Sequence, residues 1–322
     1  MAEAKSHRNL ITGITGFVGG YLTQALLDRG DTVVGMSLFK DWPPGWKHLS
    51  GKVDVRVMDV GDRSAVEKVL HEIQPTRIYH LAGFAQVGES FRDPDGAWAG
   101  NLTATRKLLE AIAAWGKKAR ILFVGSGLIY GPPLESGKPF DEDCLLRPDT
   151  PYSSSKSAAD LTAYQFFCSA GLDIVRARPF NHTGPHQSPA FAIPNFARQL
   201  VAIERKQLPP VLETGNLSTQ RDISDVRDVV MAYQLLMERG KAGEAYNIAS
   251  GQTSSMQEIL DLMLKLTGLK VELRQREDLL RPTEPHSIRV NIDKIIRDTG
   301  WRPRYSLEQT LRDCLQCWRD QS

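Results

Sequence analysis

Between Asn9 and Pro179, short apolar runs alternate with longer segments of helical spacing. The short runs are Asn9–Thr12, Thr32–Leu38, Val53–Val60, Arg77–Gly83, Ala119–Ser126 and Leu172–Pro179. Their near-continuous apolar character predicts strands buried on both faces. The intervening segments Phe17–Arg29, Ser64–Ile73, Asn101–Trp115 and Tyr152–Ala170 read as helices. In the third of these, Leu102, Leu108, Leu109, Ile112 and Trp115 form one stripe. This alternation predicts an α/β fold: a doubly wound parallel sheet with helices on both faces.

After Pro179 the alternation breaks. Prolines cluster at 185, 189, 194, 209 and 210. Phe191–Lys206 and Met256–Thr267 read as amphipathic helices, and Glu244–Ser250 as one more buried strand. The expected organisation is a sheet domain over residues 1–179, joined by about 222–250, and a smaller C-terminal α/β region over 180–322 that binds substrate and interleaves with the first.

Composition narrows the partners. The 322 residues carry 40 Lys+Arg against 38 Asp+Glu, a formal net charge of +2, so no basic footprint points to nucleic acid or an anionic membrane. A few local arginines still suffice for a small anionic ligand. No apolar run approaches the ~20 residues of a membrane span. The opening MAEAKSHRNL has no apolar signal core, and four cysteines do not make a disulfide framework. A cytoplasmic address is expected. Cys314 and Cys317 form a CxxC, but they share a helical stripe with Leu307, Leu311, Leu315 and Trp318, and no second ligand pair lies nearby in sequence. Core packing is the expected role, with no metal site.

Thr12-Gly13-Ile14-Thr15-Gly16-Phe17-Val18-Gly19 places glycines at 13, 16 and 19 between the first strand and the first helix. Glycine permits backbone approach to a pyrophosphate, and the helix start offers free N–H groups. A dinucleotide site is predicted. An acidic residue at the end of the second strand would favour NAD; here Ser37 and Lys40 stand there, with no carboxylate until Asp41. NADPH is favoured, with NADH as the alternative.

Tyr152-Ser153-Ser154-Ser155-Lys156 is a YxxxK at a helix start, so both side chains share one face. The lysine ammonium is expected to lower the phenol's pKa from its ordinary value near ~10 toward useful acid/base work. Ser126, just past the strand Ile121–Val124, offers a hydroxyl for a carbonyl oxygen.

Together these features resemble the extended, nucleotide-sugar-modifying branch of the short-chain dehydrogenase/reductase superfamily, over nearly the whole chain. Asp59-Val60 resembles the pair that contacts adenine in that branch, and His80-Leu81-Ala82-Gly83 the segment beside the nicotinamide ribose. Asn101 and Arg178-Pro179-Phe180-Asn181 match further motifs. Asn181-His182-Thr183-Gly184-Pro185-His186-Gln187 resembles the NHxGPxQ of the GDP-6-deoxy-4-keto-mannose reductases. Gly215-Asn216-Leu217, Arg221-Asp222 and Arg281-Pro282-Thr283-Glu284 resemble motifs of those reductases and of the GDP-mannose 4,6-dehydratases.

The resemblance implies a Rossmann-like fold and three catalytic residues, Ser126, Tyr152 and Lys156. It implies cofactor contacts from Gly13, Thr15, Gly16, Phe17, Val18, Ser37, Lys40, Asp59, Val60, Leu81, Ala82, Gly83, Tyr152, Lys156 and Pro179, and substrate contacts from Asn181, Asn195, Arg221, Arg281 and Glu284. One departure matters. The dehydratases carry a glutamate two residues after the catalytic serine or threonine; Leu128 stands there. A leucine cannot move a proton, so dehydration is disfavoured. The expected activity is NAD(P)H-dependent reduction of the C4 ketone of GDP-4-keto-6-deoxy-D-mannose to a GDP-6-deoxyhexose such as GDP-D-rhamnose. A 4-epimerase or 4,6-dehydratase of the same fold, and a non-catalytic dinucleotide-binding sensor or scaffold, are the alternatives. Members of this branch pair through the helices here read as Asn101–Trp115 and Tyr152–Ala170, so a homodimer is expected; the apolar Ala111–Trp115 also suits a helix packed on its own sheet.

Overall fold

The structure, a computed structural model, describes residues 7–133, 137–280 and 288–321. The elements of the first half are β1 (Arg8–Thr12), α1 (Phe17–Asp28), β2 (Thr32–Ser37), β3 (Asp54–Val57), α2 (Arg63–Ile73), β4 (Arg77–His80), α3 (Val87–Ser90), α4 (Pro94–Trp98), α5 (Ala104–Trp115), β5 (Arg120–Val124), α6 (Pro151–Ala170) and β6 (Asp173–Pro179). The second half adds β7 (Asn181–Thr183), α7 (Ala192–Glu204), β8 (Val211–Thr214), β9 (Gln220–Asp225), α8 (Val226–Arg239), β10 (Ala245–Ile248), β11 (Thr253–Ser255), α9 (Met256–Thr267), β12 (Glu272–Gln275), α10 (Asp293–Thr299) and α11 (Leu307–Asp320).

Seven strands form the main sheet in the order β3-β2-β1-β4-β5-β6-β10, every neighbouring pair parallel. Strand order reverses beside β1, which opens a crevice at the carboxyl ends of β1 and β4. Each sheet face is sealed by its own helices. Leu22 and Leu26 of α1 pack with Val229, Tyr233 and Leu236 of α8 on one side. Val66 and Leu70 of α2 pack with Leu108 and Ile112 of α5 and Ala159 and Ala163 of α6 on the other. Truncating one of these fully buried leucines to alanine costs roughly 2–5 kcal/mol. A third core joins Ile193 and Leu200 of α7, Leu260 and Met263 of α9, and Leu311, Cys314 and Leu315 of α11. Cys314 is thus a core residue. Cys317 is also buried, with its Sγ 3.3 Å from His186 Nδ1.

Three features differ from the sequence reading. The helix expected from Asn101 begins as a π turn over Ala99–Thr103 and becomes α-helical only at Ala104. The Thr105 hydroxyl, in the first turn of α5, donates back to the Asn101 carbonyl of this π turn at 2.5 Å. A helix over Val226–Arg239 was not anticipated; its signal is the Asp225 cap, which accepts from Arg227 N, followed by Val226, Val229, Val230, Tyr233 and Met237. The strands β7, β8, β9, β11 and β12 span only three to six residues, too short for a period of two to stand out.

Candidate active site

The glycine turn closes against its neighbours so tightly that side chains do not fit. Gly13 has φ +70°, and a Cβ there would lie 2.9 Å from the Ala82 backbone. A Cβ at Gly19 would lie 2.3 Å from the Ile14 carbonyl oxygen. Gly16 caps α1 with no side chain accepting from the first turn, so the leading N–H groups face the crevice free for an anion. At the end of β2, Ser37 Oγ lies 2.6 Å from Thr15 Oγ1 and accepts from Phe39 N at 3.2 Å. Leu38 and Phe39 are 62% and 70% exposed and line the crevice together with Asp59 and Val60. Lys40 is exposed and outside the lining residues. No carboxylate ends β2, so the donor set and the glycine cradle fit a dinucleotide that carries a 2′-phosphate.

The catalytic candidates meet at the carboxyl end of β5. Ser126 caps a short 3-10 turn over Gly127–Tyr130, accepting from Leu128 N at 3.2 Å. Gly127 is required there because the Phe180 ring would lie 2.5 Å from a Cβ. Tyr152 sits in the first turn of α6, behind a capping box of Thr150 and Ser153 with Pro151 at the helix start. Its backbone N–H donates to Ser90 Oγ at 3.2 Å, and its carbonyl accepts from Ser155 Oγ at 2.9 Å. Asn101 Nδ2 donates to that Ser155 hydroxyl at 2.9 Å, while Phe84 N donates to Asn101 Oδ1 at 2.9 Å. The π turn therefore carries an asparagine that ties α6 to the loop after β4.

The Ser126 and Tyr152 side chains line the same cavity, with the Ser126 hydroxyl near enough to act on the phenol. Burial pushes the Tyr152 phenol above its ordinary pKa, and the Ser126 contact opposes this in part. The expected lowering by Lys156 is not among the causes that set the phenol, which are burial and the nearby Ser126 hydroxyl. Lys156 Nζ instead donates to the Val124 carbonyl at 3.2 Å and lies 3.3 Å from where a Gly83 Cβ would stand. Burial lowers the Lys156 pKa to about 8. A phenol held in its protonated form suits a proton donor.

These groups open onto a cavity of about 840 Å³. Gly13, Thr15, Gly16, Phe17, Val18, Ser37, Asp59, Val60, Leu81, Ala82, Gly83, Ser126, Tyr152, Lys156, Pro179, Asn181 and Arg221 all line it. A second cavity of about 330 Å³ adjoins it and shares Asn181, His182, Gln187, Phe191 and Arg221; Asn195, Asn216 and Leu217 line it alone. Arg281 and Glu284 lie outside the described residues. Leu128 also lines the larger cavity, an apolar group two residues from Ser126.

Residues the sequence reading left without a role complete the walls. His182 stacks on Phe17 with ring centroids 6.2 Å apart and planes 6° apart. Phe191 and Gln187 bridge the two cavities, and Tyr233 of α8 closes the floor beside Val124 and Gly125. His182 and Gln187 belong to the quoted NHTGPHQ run, so their sequence signal was present. Tyr233 gave none apart from the overlooked helix. Behind Lys156, Asp160 is fully buried and accepts from Arg176 Nη1 at 2.6 Å and from Arg178 Nε and Nη2 at 3.0 and 2.8 Å. Arg178 Nη1 also donates to Tyr130 OH at 2.8 Å, which donates to Asn247 Oδ1 at 2.8 Å. Among the described residues no cluster of His, Cys, Asp and Glu is arranged to hold a metal ion, and no helix is long and apolar enough to cross a membrane.

Comparison with known proteins agrees with this geometry. The chain is 33% identical over 314 residues to the GDP-6-deoxy-D-mannose reductase of Pseudomonas aeruginosa, covering 97% of each chain. It is 28% identical to a dTDP-glucose 4,6-dehydratase of Xanthomonas campestris, covering 94% of this chain and 90% of that one. The solved structure of RMD from Pseudomonas aeruginosa complexed with NADPH superposes with a TM-score of 0.85 at 31% identity, covering 98% and 100% of the two chains. A Thermus thermophilus UDP-glucose 4-epimerase complexed with NAD gives 0.86 at 28% identity, covering 97% and 99%. The family model described as GDP-mannose 4,6 dehydratase matches residues 10–314. With the glycine turn, the Ser–Tyr–Lys group and the paired cavities all in place, the chain belongs to the GDP-mannose 4,6 dehydratase family.

Proposed function

We propose that the protein is an NADPH-dependent reductase that converts the C4 ketone of GDP-4-keto-6-deoxy-D-mannose into the alcohol of a GDP-6-deoxyhexose. The observation that carries this reading is that Ser126, Tyr152 and Lys156 line one cavity together with Leu128. The site has a proton donor for a forming alkoxide and, at the Leu128 position, no base to take a proton from the sugar carbon next to the ketone. When bound, NADPH supplies the hydride. Ser126 donates a hydrogen bond to the ketone oxygen and fixes its direction. Tyr152, kept protonated by burial, gives its proton to that oxygen. Lys156, once beside the cofactor's ribose hydroxyls, holds them and steadies the phenolate that Tyr152 becomes. Arg221 and Asn195 bind the nucleotide-sugar side, where a guanidinium suits a phosphate.

The relatives support the same assignment, since the Pseudomonas aeruginosa reductase matches over nearly its whole length. Epimerases and dehydratases of this family return the hydride to the sugar and show no net cofactor use. The test is an incubation of purified protein with NADPH and the 4-keto sugar nucleotide. Stoichiometric NADPH oxidation supports the reading. No oxidation with either reduced cofactor, together with NAD retained through purification, replaces reductase by epimerase or dehydratase. A homodimer is part of this proposal: Leu161 and Tyr164 on the outer face of α6 are 56% and 45% exposed, an apolar pair suited to a second copy. A concentration series in the ultracentrifuge checks it.

A further inference from the structure

We infer that Tyr130 is a positioning residue for Ser126: its hydroxyl, gripped by Arg178, holds the turn after β5 against α6, so that Ser126 meets the ketone to which Tyr152 gives its proton. The inference rests on the reductase reading above and adds to it a residue that is fully buried and lines neither cavity.

Ser126 stands where the sheet stops guiding the chain. Gly125 N still donates to the Ala177 carbonyl of β6 at 2.8 Å. Beyond it the chain leaves the sheet for the 3-10 turn over Gly127–Tyr130, and Tyr130 is the last residue of that turn. The Tyr130 ring stacks on Phe140 and Phe180, with centroids 5.2 and 6.1 Å away. The Phe180 ring also occupies the space that a Cβ at Gly127 would need, so it packs on both ends of the turn.

The Tyr130 hydroxyl is held from both sides. Arg178 Nη1 donates to it at 2.8 Å, and it donates to Asn247 Oδ1 at 2.8 Å. Burial raises the pKa of this phenol, so it keeps the proton needed to accept and donate at once. Arg178 is itself anchored on α6, where its Nε and Nη2 donate to the two Asp160 oxygens at 3.0 and 2.8 Å. Asp160 lies one helical turn past Lys156 on the same face. A guanidinium carries its donors in a rigid planar fork, so it spans Asp160 and Tyr130 at a set distance. On the other side of Ser126, Lys156 Nζ donates to the Val124 carbonyl at 3.2 Å. The helix that carries Tyr152 and Lys156 is therefore tied to the chain before Ser126 and to the turn after it. A hydroxyl aimed at one carbonyl oxygen needs such fixing, because a misplacement of ~1 Å can cost ~100-fold in rate.

The test removes the tether and leaves the ring. Tyr130→Phe keeps the stack on Phe140 and Phe180 and loses the contacts to Arg178 and Asn247. Its kcat for NADPH oxidation with the 4-keto sugar nucleotide should fall by about tenfold while the KM for NADPH holds. Added to Ser126→Ala, it should lower kcat no further, since two changes that act through one hydroxyl are not additive. Arg178→Lys, whose single ammonium cannot reproduce the fork, serves in the same comparison if Tyr130→Phe fails to fold. An unchanged kcat, or a full further drop on the Ser126→Ala background, overturns the assignment. A second readout needs no turnover. In protein labelled with carbon-13 at the tyrosine ζ carbon, the Tyr152 NMR signal is identified by its loss in Tyr152→Phe. It should move in Tyr130→Phe in the direction that it moves in Ser126→Ala, and a signal left at its wild-type position overturns the positioning role. If the wild type oxidises no NADPH, the reductase reading falls, and this NMR shift alone decides whether Tyr130 places Ser126.

Discussion

Tyr21 donates its hydroxyl to the carbonyl of Pro185 at 3.0 Å, joining two positions 164 residues apart. Tyr21 lies one helical turn beyond Phe17 on α1, and its ring packs edge-on against Phe17 and Trp46. The first turns of α1 thus hold the segment after β6 at two points, His182 through Phe17 and Pro185 through Tyr21. Tyr21→Phe keeps the ring and leaves the carbonyl short of a partner, a loss of about 1–3 kcal/mol in stability. Thermal unfolding should show a lower Tm. The KM for the sugar nucleotide should rise several-fold while NADPH affinity holds; an unchanged KM would detach the loop from α1.

Tyr152→Phe should lose most of the turnover, by about 10²–10⁴-fold for a missing general acid, and keep NADPH binding as read by cofactor fluorescence. Ser126→Ala removes the hydroxyl that partly offsets the raised phenol pKa. Its turnover should fall as well, and the basic limb of its pH–rate profile should move upward. Full activity in either variant would remove the assigned proton route.

His80 is buried between two threonine hydroxyls, with Nδ1 2.7 Å from Thr12 Oγ1 and Nε2 2.9 Å from Thr105 Oγ1. Burial lowers its pKa from 6.5 to about 3, with Lys156 adding to the effect. From pH 6.5 down toward 3 the unfolded chain therefore binds a proton that the folded one refuses. Stability must fall with acidification across that window and no further below it. His80→Gln should flatten this part of the profile relative to wild type in urea unfolding at stepped pH. Parallel profiles would mean that the ring takes a proton in place.

Gly13→Ala combines a positive φ with a Cβ 2.9 Å from the Ala82 backbone. The loop after β4 must retreat to admit it. NADPH affinity should drop by at least an order of magnitude, together with about 1–3 kcal/mol of stability from the strained backbone. Gly30→Ala has a comparable φ of +78° but nothing within 4 Å of its Cβ, so it should cost stability while sparing the cofactor. Equal cofactor loss in both would make the effect one of backbone strain alone.

The sheet and α6 were legible because long-period signals coincide there: buried strands, a glycine turn and a YxxxK sharing one helical face. Ser126 and the glycine loop stand where a strand gives way to a turn, and Tyr152 where a loop gives way to a helix; such junctions carry strong residue preferences. The electrostatics were not legible. Tyr152 is ruled by desolvation, which depends on the walls around it rather than on its spacing to Lys156. Lys40 followed the right strand but stands clear of the cavity, since sequence order does not give the direction of a loop side chain. Tyr233 reaches the site from α8, a helix whose regular stripe went unread because its strand neighbours are so short.

The most direct measurement uses NADPH deuterated at the transferable position of its nicotinamide ring, with the GDP-4-keto-6-deoxy sugar as substrate and NMR of the sugar product as readout. The account predicts one deuterium at C4 of a 6-deoxyhexose and one oxidised cofactor per product formed. A product with no deuterium at C4, or sugar turnover without net oxidation of the cofactor, would contradict it.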